Sequence, residues 1–468
     1  MISFSKGIDR RSWYFFGSVL LILFFPMICR FSGDGNLPPQ KNLARLWINP
    51  IFLNLLLAYA LIFLGRIKSL TISKAEWMLF AAAGVALCAL PPIFSGDLHE
   101  YLMRGRILGV YHENPYLVPK EYPADPFYAL TVWVGLHKLP ENYGPVWASL
   151  QGIAPTLFQS SYWASVFFFK LMLFMFLAGS VWFFHRIAGL IWPEQARWMT
   201  PLFALNPNLI DHILIDGHND IVMVFLILCA FYFLLKNRYY WAVAAATLAV
   251  LIKFTAVIFL PVMGIYYFRR QTLQSLGSFL SLTLKSIALF LLISFVFYFP
   301  YWVGMSTLSY FSKFSDWFAT NSVPYAVHAA LNKLGITTSE LLVKRFFSLF
   351  FVVNCLAALG WFWLRKEVNA KDLCRTVSWM FMAMFLSYTI PFYGHHLLWM
   401  LPFLVLSGFS APILLCLLFA TAGIFFYFKR LSFLFLIGIA AYVFYLLILR
   451  FNTRNSPKEP GFNRKKIL

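Results

Sequence analysis

Long apolar runs separated by short polar links dominate the chain. They fall near 13–29, 48–65, 75–94, 162–184, 198–214, 219–235, 239–253, 254–268, 277–300, 343–364, 376–393, 397–410, 411–428 and 431–449. Most approach the roughly 20 residues that cross a hydrocarbon core as a helix, which predicts an all-α polytopic membrane protein of about 12–14 spans. The stretch 239–268 reads either as two spans or as one short hairpin, and 397–428 either as two spans or as one long bent segment. Between the runs at 75–94 and 162–184 the pattern changes. Residues 95–160 read as amphipathic helices lying at the membrane surface. In Asp97–Arg106, helical spacing puts Asp97, Glu100 and Arg104 on one face and Leu98, Leu102 and Ile107 on the other. Pro91-Pro92 ends the preceding span, because proline cannot continue the hydrogen-bond ladder. The chain divides into an N-terminal transmembrane hairpin, 1–74, and a membrane domain, 75–468, with large loops at 95–160 and 301–342.

Composition agrees with this pattern. Of 468 residues, 61% are hydrophobic and 12% charged, about half the charged fraction of soluble domains. The net charge of +20 suggests nucleic acid only until its distribution is seen. Lysine and arginine lie in short clusters between the apolar runs: Lys6/Arg10/Arg11, Arg66/Lys68/Lys74, Arg186/Arg197, Lys236/Arg238, Arg269/Arg270, Arg365/Lys366/Lys371/Arg375 and Arg464/Lys465/Lys466. That is the positive-inside pattern, which places both termini in the cytoplasm and excludes a nucleic-acid partner in favour of membrane lipids. The first apolar run lacks a small-residue cleavage site and is expected to be a retained signal anchor. Acids concentrate on the other side: nine of the eighteen Asp and Glu residues fall in 97–141 and 211–220. The six cysteines sit in or beside apolar runs without paired spacing, and are read as small hydrophobes.

Five places carry candidate chemistry. Asp97, in Ser95-Gly96-Asp97, stands at the mouth of a span, where a partly desolvated carboxylate suits general-base work on a hydroxyl or simply caps a helix. Arg104 and Arg106, upstream of Asn114-Pro115-Tyr116, suit phosphate or lipid headgroups. Asp211-His212 and Asp216-Gly217-His218-Asn219-Asp220 form a polar wedge between apolar runs, which lines a cavity or makes an acidic turn; its Asp and His side chains are also conceivable metal ligands, although their spacing matches no recognised metal motif. Lys253 interrupts an apolar stretch and is either a point charge for a phosphate or a snorkelling lysine. Tyr393-Gly394-His395-His396-Leu397-Leu398-Trp399 reads as a polar lid over a sugar, with Trp399 as stacking surface, or as an interfacial aromatic belt.

Taken together and in order, these stretches resemble the GT-C glycosyltransferases, especially the bacterial polyprenol-phosphate-mannose-dependent mannosyltransferases. The likeness rests on residues 95–106 with Asn114-Pro115-Tyr116, on Tyr143-Gly144-Pro145-Val146-Trp147, on 216–220, on 249–256 leading to Leu260-Pro261, and on 393–402. The family more often has an aromatic pair where this chain has His395-His396. The resemblance implies a GT-C-like helical bundle and an inverting transfer of mannose or a related hexose. The sugar would pass from a polyprenyl-phosphate donor to a glycan or glycolipid acceptor on the extracytoplasmic face of a bacterial plasma membrane. It further implies that Asp97 is the general base and that Arg104, Arg106 and Lys253 face the departing phosphate. The sugar or acceptor pocket would then be lined by His99, Glu100, Asn114, Tyr116, Tyr143, Asp216, His218, Asn219, Asp220, His395 and His396.

No cofactor is expected. Asp97-Leu98-His99 stands in place of Asp-x-Asp, so a divalent metal bridging two acids is not favoured, and no Gly-rich nucleotide-binding signature is present. The rival classes are a transporter or lipid flippase, which would use the acids and Lys253 as a translocation path, and a lipid-linked glycan ligase or polymerase.

Overall fold

A computed structural model describes residues 72–92, 95–117, 121–128, 140–271, 275–308, 318–320, 322–387, 389 and 392–408. The expected spans at 13–29, 48–65, 411–428 and 431–449, and with them nearly all of the 1–74 hairpin, lie outside the described residues. Those described form helices and turns with no strand, an all-α membrane protein as the apolar pattern predicts.

Among the described residues, three helices are long and apolar enough to cross a bilayer: α4 Tyr162–Ile191, α9 Leu276–Tyr298 with the turn that continues it to Tyr301, and α11 Glu340–Trp363. The helices around α4 are shorter. In front of it stand α1 Lys74–Cys88, α2 Asp97–Gly109 and α3 Pro145–Leu157. After it come α5 Ala196–Ala204, α6 Asp220–Leu235, α7 Tyr239–Val250 and α8 Phe259–Arg269. Flanking α11 are α10 Val323–Lys333 and α12 Ala370–Ser387, and α13 Leu401–Leu406 follows.

Local chemistry explains the boundaries. α1 begins in a capping box, in which the Ser73 hydroxyl accepts from Glu76 N and Ser73 N donates to the Glu76 carboxylate at 2.6 Å. Its other end meets the fully buried Lys170 of α4, whose Nζ donates to the carbonyls of Leu87 and Leu90 at 2.9 and 2.8 Å. A lone lysine in an apolar helix thus satisfies carbonyls that the end of α1 leaves open.

One expected span comes out differently, and a stretch with two readings resolves into one of them. Residues 198–214 are not one helix: α5 stops at Ala204, Asn206 accepts from Asn208 N, Pro207 opens a short turn, and Ile210–Ile215 winds as a π-helix. Proline lacks the N–H that would continue α5. Residues 239–268 are a hairpin, broken at Leu251–Lys253, whose arms return on each other so that Tyr239 stacks on Tyr267 at 4.3 Å between ring centres.

The 95–160 segment supplies α2 and α3, packed against each other. α2 buries both faces, Leu98 and Leu102 with Glu100, Arg104 and Arg106, so its polar side turns into the protein and not along a membrane surface. The two helices touch because Gly105 and Gly109 face α3. A Cβ on Gly105 would lie 2.2 Å from the Gln151 carbonyl, a small-residue seam of the kind that draws membrane helices together. Tyr101, Trp147 and Phe169 then lock α2, α3 and α4, with ring centres 5.1–6.0 Å apart. The 301–342 loop joins the same block, since the Tyr301 carbonyl accepts from Asn114 at 2.7 Å and its hydroxyl pairs with Ser149 at 2.7 Å.

Gly105→Ala must push α2 off a backbone carbonyl, so it is expected to destabilise by about 1–3 kcal/mol. A lowered thermal unfolding transition of the purified protein in detergent checks this, and an unchanged transition would contradict the seam.

Candidate active site

Five segments far apart in sequence end at one polar pocket. Asp97 is the first residue of α2, where its carboxylate faces the partial positive charge of the helix start and its own N–H donates to Ser95 Oγ at 3.2 Å. The 216–219 turn crosses α2 closely. Gly217 has φ +76°, and a Cβ there would lie 2.4 Å from Leu98 Cδ1, so both the conformation and the space require glycine. This turn sets His218 Nδ1 3.3 Å from Asp97 Oδ2.

Asp220 opens α6, fully buried, and its Oδ1 receives two donors: Lys253 Nζ at 2.6 Å and the indole N–H of Trp399. Lys253 occupies the extended tip of the α7–α8 hairpin. Tyr143-Gly144-Pro145 holds that tip in place. Gly144 N donates to Ile252 O at 3.1 Å and Val146 N to Leu251 O at 3.2 Å, and a Cβ on Gly144 would sit 2.1 Å from Leu251 O. The ammonium lies 5.3 Å from the Tyr143 ring centre and 5.4 Å from that of Trp399, between two aromatic walls. The fifth segment is the 3₁₀ turn Gly394–Trp399, tied down by Asn208 Nδ2 donating to Gly394 O at 2.9 Å. Its His395 ring stacks on His218 at 3.9 Å, and His396 lies 4.8 Å from Trp399.

The Asp97–His218 contact favours the charged form of both partners. Burial alone pushes the Asp97 pKa up, but the His218 contact and charge, with Ser95 and Lys253, outweigh it and hold the carboxyl below its ordinary 3.8. For His218, burial pushes down, and Asp97 first, then Asp216 and Asp220, push harder, so the imidazole rises above its ordinary 6.5. Both shifts favour the same charged state. Asp97's contribution to stability is present above 3.8 and is lost as pH falls through its lowered pKa. That of His218 is present below 6.5 and is lost as pH rises through its raised pKa. The Asp97 side chain keeps 31% of its surface exposed, enough to meet a substrate.

The structure brings Asp97, Tyr143, His218, Asp220, Lys253, His395 and His396 together, with Asp216 and Asn219 buried in the same turn. Six other candidates go elsewhere. His99 pairs with the Tyr162 hydroxyl at 3.0 Å, and burial takes its pKa down to about 4. Glu100 and Arg104 form a buried pair at 2.7 Å, and Arg104 also donates to Pro140 O, Glu141 and Asn142. Arg106 donates to Asp125 at 2.6 Å and to Gln159 O. The expected phosphate clamp of Arg104 and Arg106 is therefore drawn into the scaffold, because buried guanidinium groups take the nearest carboxylates. Asn114 and Tyr116 stand behind the pocket wall, Tyr116 donating to the Tyr143 carbonyl at 2.8 Å.

Glu141 and Tyr101 have no assigned role in the sequence reading, and His212 appears there only as part of the polar wedge. Glu141 is buried and gathers Arg104, Asn142 N, Tyr143 N and Gln151. An acid directly before Asn142-Tyr143-Gly144-Pro145 was the available signal.

Pocket and helical architecture together define a membrane protein with an acid–base pair and a buried cation at the ends of short helices. The family model described as "Alpha-(1->6)-mannopyranosyltransferase, N-terminal domain" matches residues 15–269, more than half of the 468, and the chain belongs to that family. Alpha-(1->6)-mannopyranosyltransferase A of Mycobacterium tuberculosis is 23% identical over 322 residues, 64% of this chain and 60% of that protein. The protein of the same name from Corynebacterium glutamicum is 28% identical over 200 residues, 42% of this chain and 38% of that protein. The chain thus spans less than two thirds of the length of the relatives it matches.

Asp125→Ala leaves the buried Arg106 charge without its carboxylate and is expected to cost about 3–5 kcal/mol. The double variant Arg106→Met/Asp125→Ala should cost less than Asp125→Ala alone. Thermal unfolding of the two proteins decides it: an equal or larger loss in the double variant argues against the pair.

Proposed function

We propose that this chain is an inverting mannosyltransferase that moves mannose, or a related hexose, from a polyprenyl-phosphate donor to a hydroxyl of a glycan or glycolipid acceptor. The observation that carries the reading is the pairing in one pocket of an ionised, partly exposed Asp97 with Lys253, which is held between Tyr143 and Trp399. The acceptor oxygen attacks the anomeric carbon while Asp97 takes its proton. The bond from that carbon to the phosphate oxygen breaks, and polyprenyl phosphate leaves with the electron pair. Lys253 gives one N–H to Asp220, and its charge offsets the charge developing on the leaving phosphate. The partly exposed Tyr143 ring suits the apolar face of a hexose, and the buried Trp399 backs Lys253. Arg104 holds the loop that carries Tyr143 and Arg106 is tied to Asp125 and the Gln159 carbonyl, and Lys253 alone is assigned to the phosphate.

The arrangement of charge supports an extracytoplasmic pocket. Lys253 stands at one end of the α8 arm and Arg269 at the other, where Arg269 donates to Arg365 O and Arg365 and Arg375 flank Asp372. Basic residues gather on cytoplasmic ends, which supports the reading of a pocket on the opposite face of a bacterial plasma membrane, where the bilayer would deliver a lipid-anchored donor.

The direct test supplies labelled polyprenyl-phosphate mannose to the purified full-length protein. Asp97→Asn should lower transfer by about 10²–10⁴-fold; undiminished transfer removes Asp97 from the role of base. If no monophosphate donor is used at all, a ligase or polymerase acting on another lipid-linked donor is the better reading. A second expectation concerns pH. His218→Gln removes the contact that most lowers the Asp97 pKa, so the acid limb of kcat/KM should move to higher pH. An acid limb that stays in place would contradict the ion pair's part in tuning the base.

A further inference from the structure

Three imidazoles meet beside Asp97. His212 comes from the π-helix Ile210–Ile215, His218 from the turn before α6, and His395 from the 3₁₀ turn Gly394–Trp399. They are 0%, 1% and 5% exposed. One ring nitrogen from each lies within 4.8 Å of the other two. Ring centres are 3.9 Å apart for His218–His395, 5.4 Å for His212–His218 and 5.5 Å for His212–His395.

Aromatic packing accounts for ring contacts but not for the polar atoms. Among the described residues, His218 Nε2 and His395 Nδ1 are buried and make no hydrogen bond, a costly state for a polar atom. Two of the rings also meet a carboxylate at Nδ1: Asp97 Oδ2 at 3.3 Å from His218, and Asp211 Oδ2 at 3.6 Å from His212. A carboxylate behind the ring is the usual second shell of a metal-bound histidine, fixing the tautomer so that the other nitrogen can ligate.

We propose that His212, His218 and His395 form a site for a divalent transition metal of the zinc class. Three nitrogen donors suit zinc, cobalt or nickel and not magnesium or calcium, which take oxygen. Asp97, Asp211 and Asp216 surround the site and offset the added charge. The ion takes the place of the proton on His218 Nε2, so that His218 ligates as a neutral ring with Nδ1 still toward Asp97; it ties three segments together, and its part is positional. This differs from the acid-bridging divalent ion that the sequence argued against. Metal content is the readout, so the site stands or falls separately from the transferase reading.

The test uses the full-length protein in detergent, with any purification tag removed, stripped by chelator and titrated with Co²⁺ alone. The wild-type chain should take up about one Co²⁺ with visible d–d absorption that Zn²⁺ displaces. Asp97→Asn should weaken binding by about 10- to 100-fold, and His395→Gln by more. His396→Gln, next in sequence but outside the cluster, should leave it unchanged. Absence of a saturable cobalt band in the wild-type chain overturns the proposal by itself, even if a variant fails to fold. So does equal loss in His395→Gln and His396→Gln.

Discussion

Everything at the pocket is arranged around one buried ion pair, Lys253 with Asp220 at 2.6 Å. Neither residue could be left alone in an apolar bundle, since an unpaired buried charge costs several kcal/mol. Their pairing therefore binds the tip of the α7–α8 hairpin to the start of α6, and Trp399 adds its indole N–H to the same carboxylate. Three segments from distant parts of the chain are brought to one oxygen atom. Removing that carboxylate would leave Lys253 facing two aromatic rings, with no other carboxylate in an ion pair with it among the described residues.

The short helices follow from this constraint. α6 and α7 have 16 and 12 residues, about 24 and 18 Å at the usual rise, against about 30 Å for a hydrocarbon core. Helices that stop short can end in polar side chains that full-length spans cannot carry. Asp220 opens one, and Lys253 follows the end of another. The π-helix at Ile210–Ile215 and the 3₁₀ turn at Gly394–Trp399 do the same for His212, His395 and His396. Irregular backbone at such depth is tolerated where it is enclosed by protein, and these residues are buried.

Much of the fold was legible because apolar length is a strong signal. The runs at 162–184, 277–300 and 343–364 correspond to the three long helices. The break inside 198–214 was less so, since Pro207 and Asn206 act locally while an apolar average continues across them. The pocket was legible as a set of segments: Asp97, the 216–220 turn, Lys253 and 393–399 were all singled out and all converge. Partnership was not. Glu100, Arg104 and Arg106 share a helix with Asp97, and one-dimensional spacing cannot tell which face meets solvent and which meets Glu141 or Asp125. Nor can it tell that His212 and His395, far apart in sequence, share a neighbour.

The two arginines repay a closer comparison with Lys253. All three are buried cations, with Arg104 at 3%, Arg106 at 4% and Lys253 at 7% exposed. A guanidinium presents several donors in a rigid fork, and here the forks are spread over fixed acceptors: Glu100, Glu141, Asn142 and the Pro140 carbonyl for Arg104, and Asp125 and the Gln159 carbonyl for Arg106. Displacing either would unmake the 140–143 loop or the α2–α3 corner. An ammonium has three donors on a flexible stem, and the carboxylate of Asp220 takes one. Its remaining neighbours are the faces of Tyr143 and Trp399, which attract a cation without consuming its N–H groups. A cation so held can meet a phosphate at the cost of rearranging almost nothing. The difference between scaffold and site in this pocket lies in that chemistry, and not in how deeply each charge is buried.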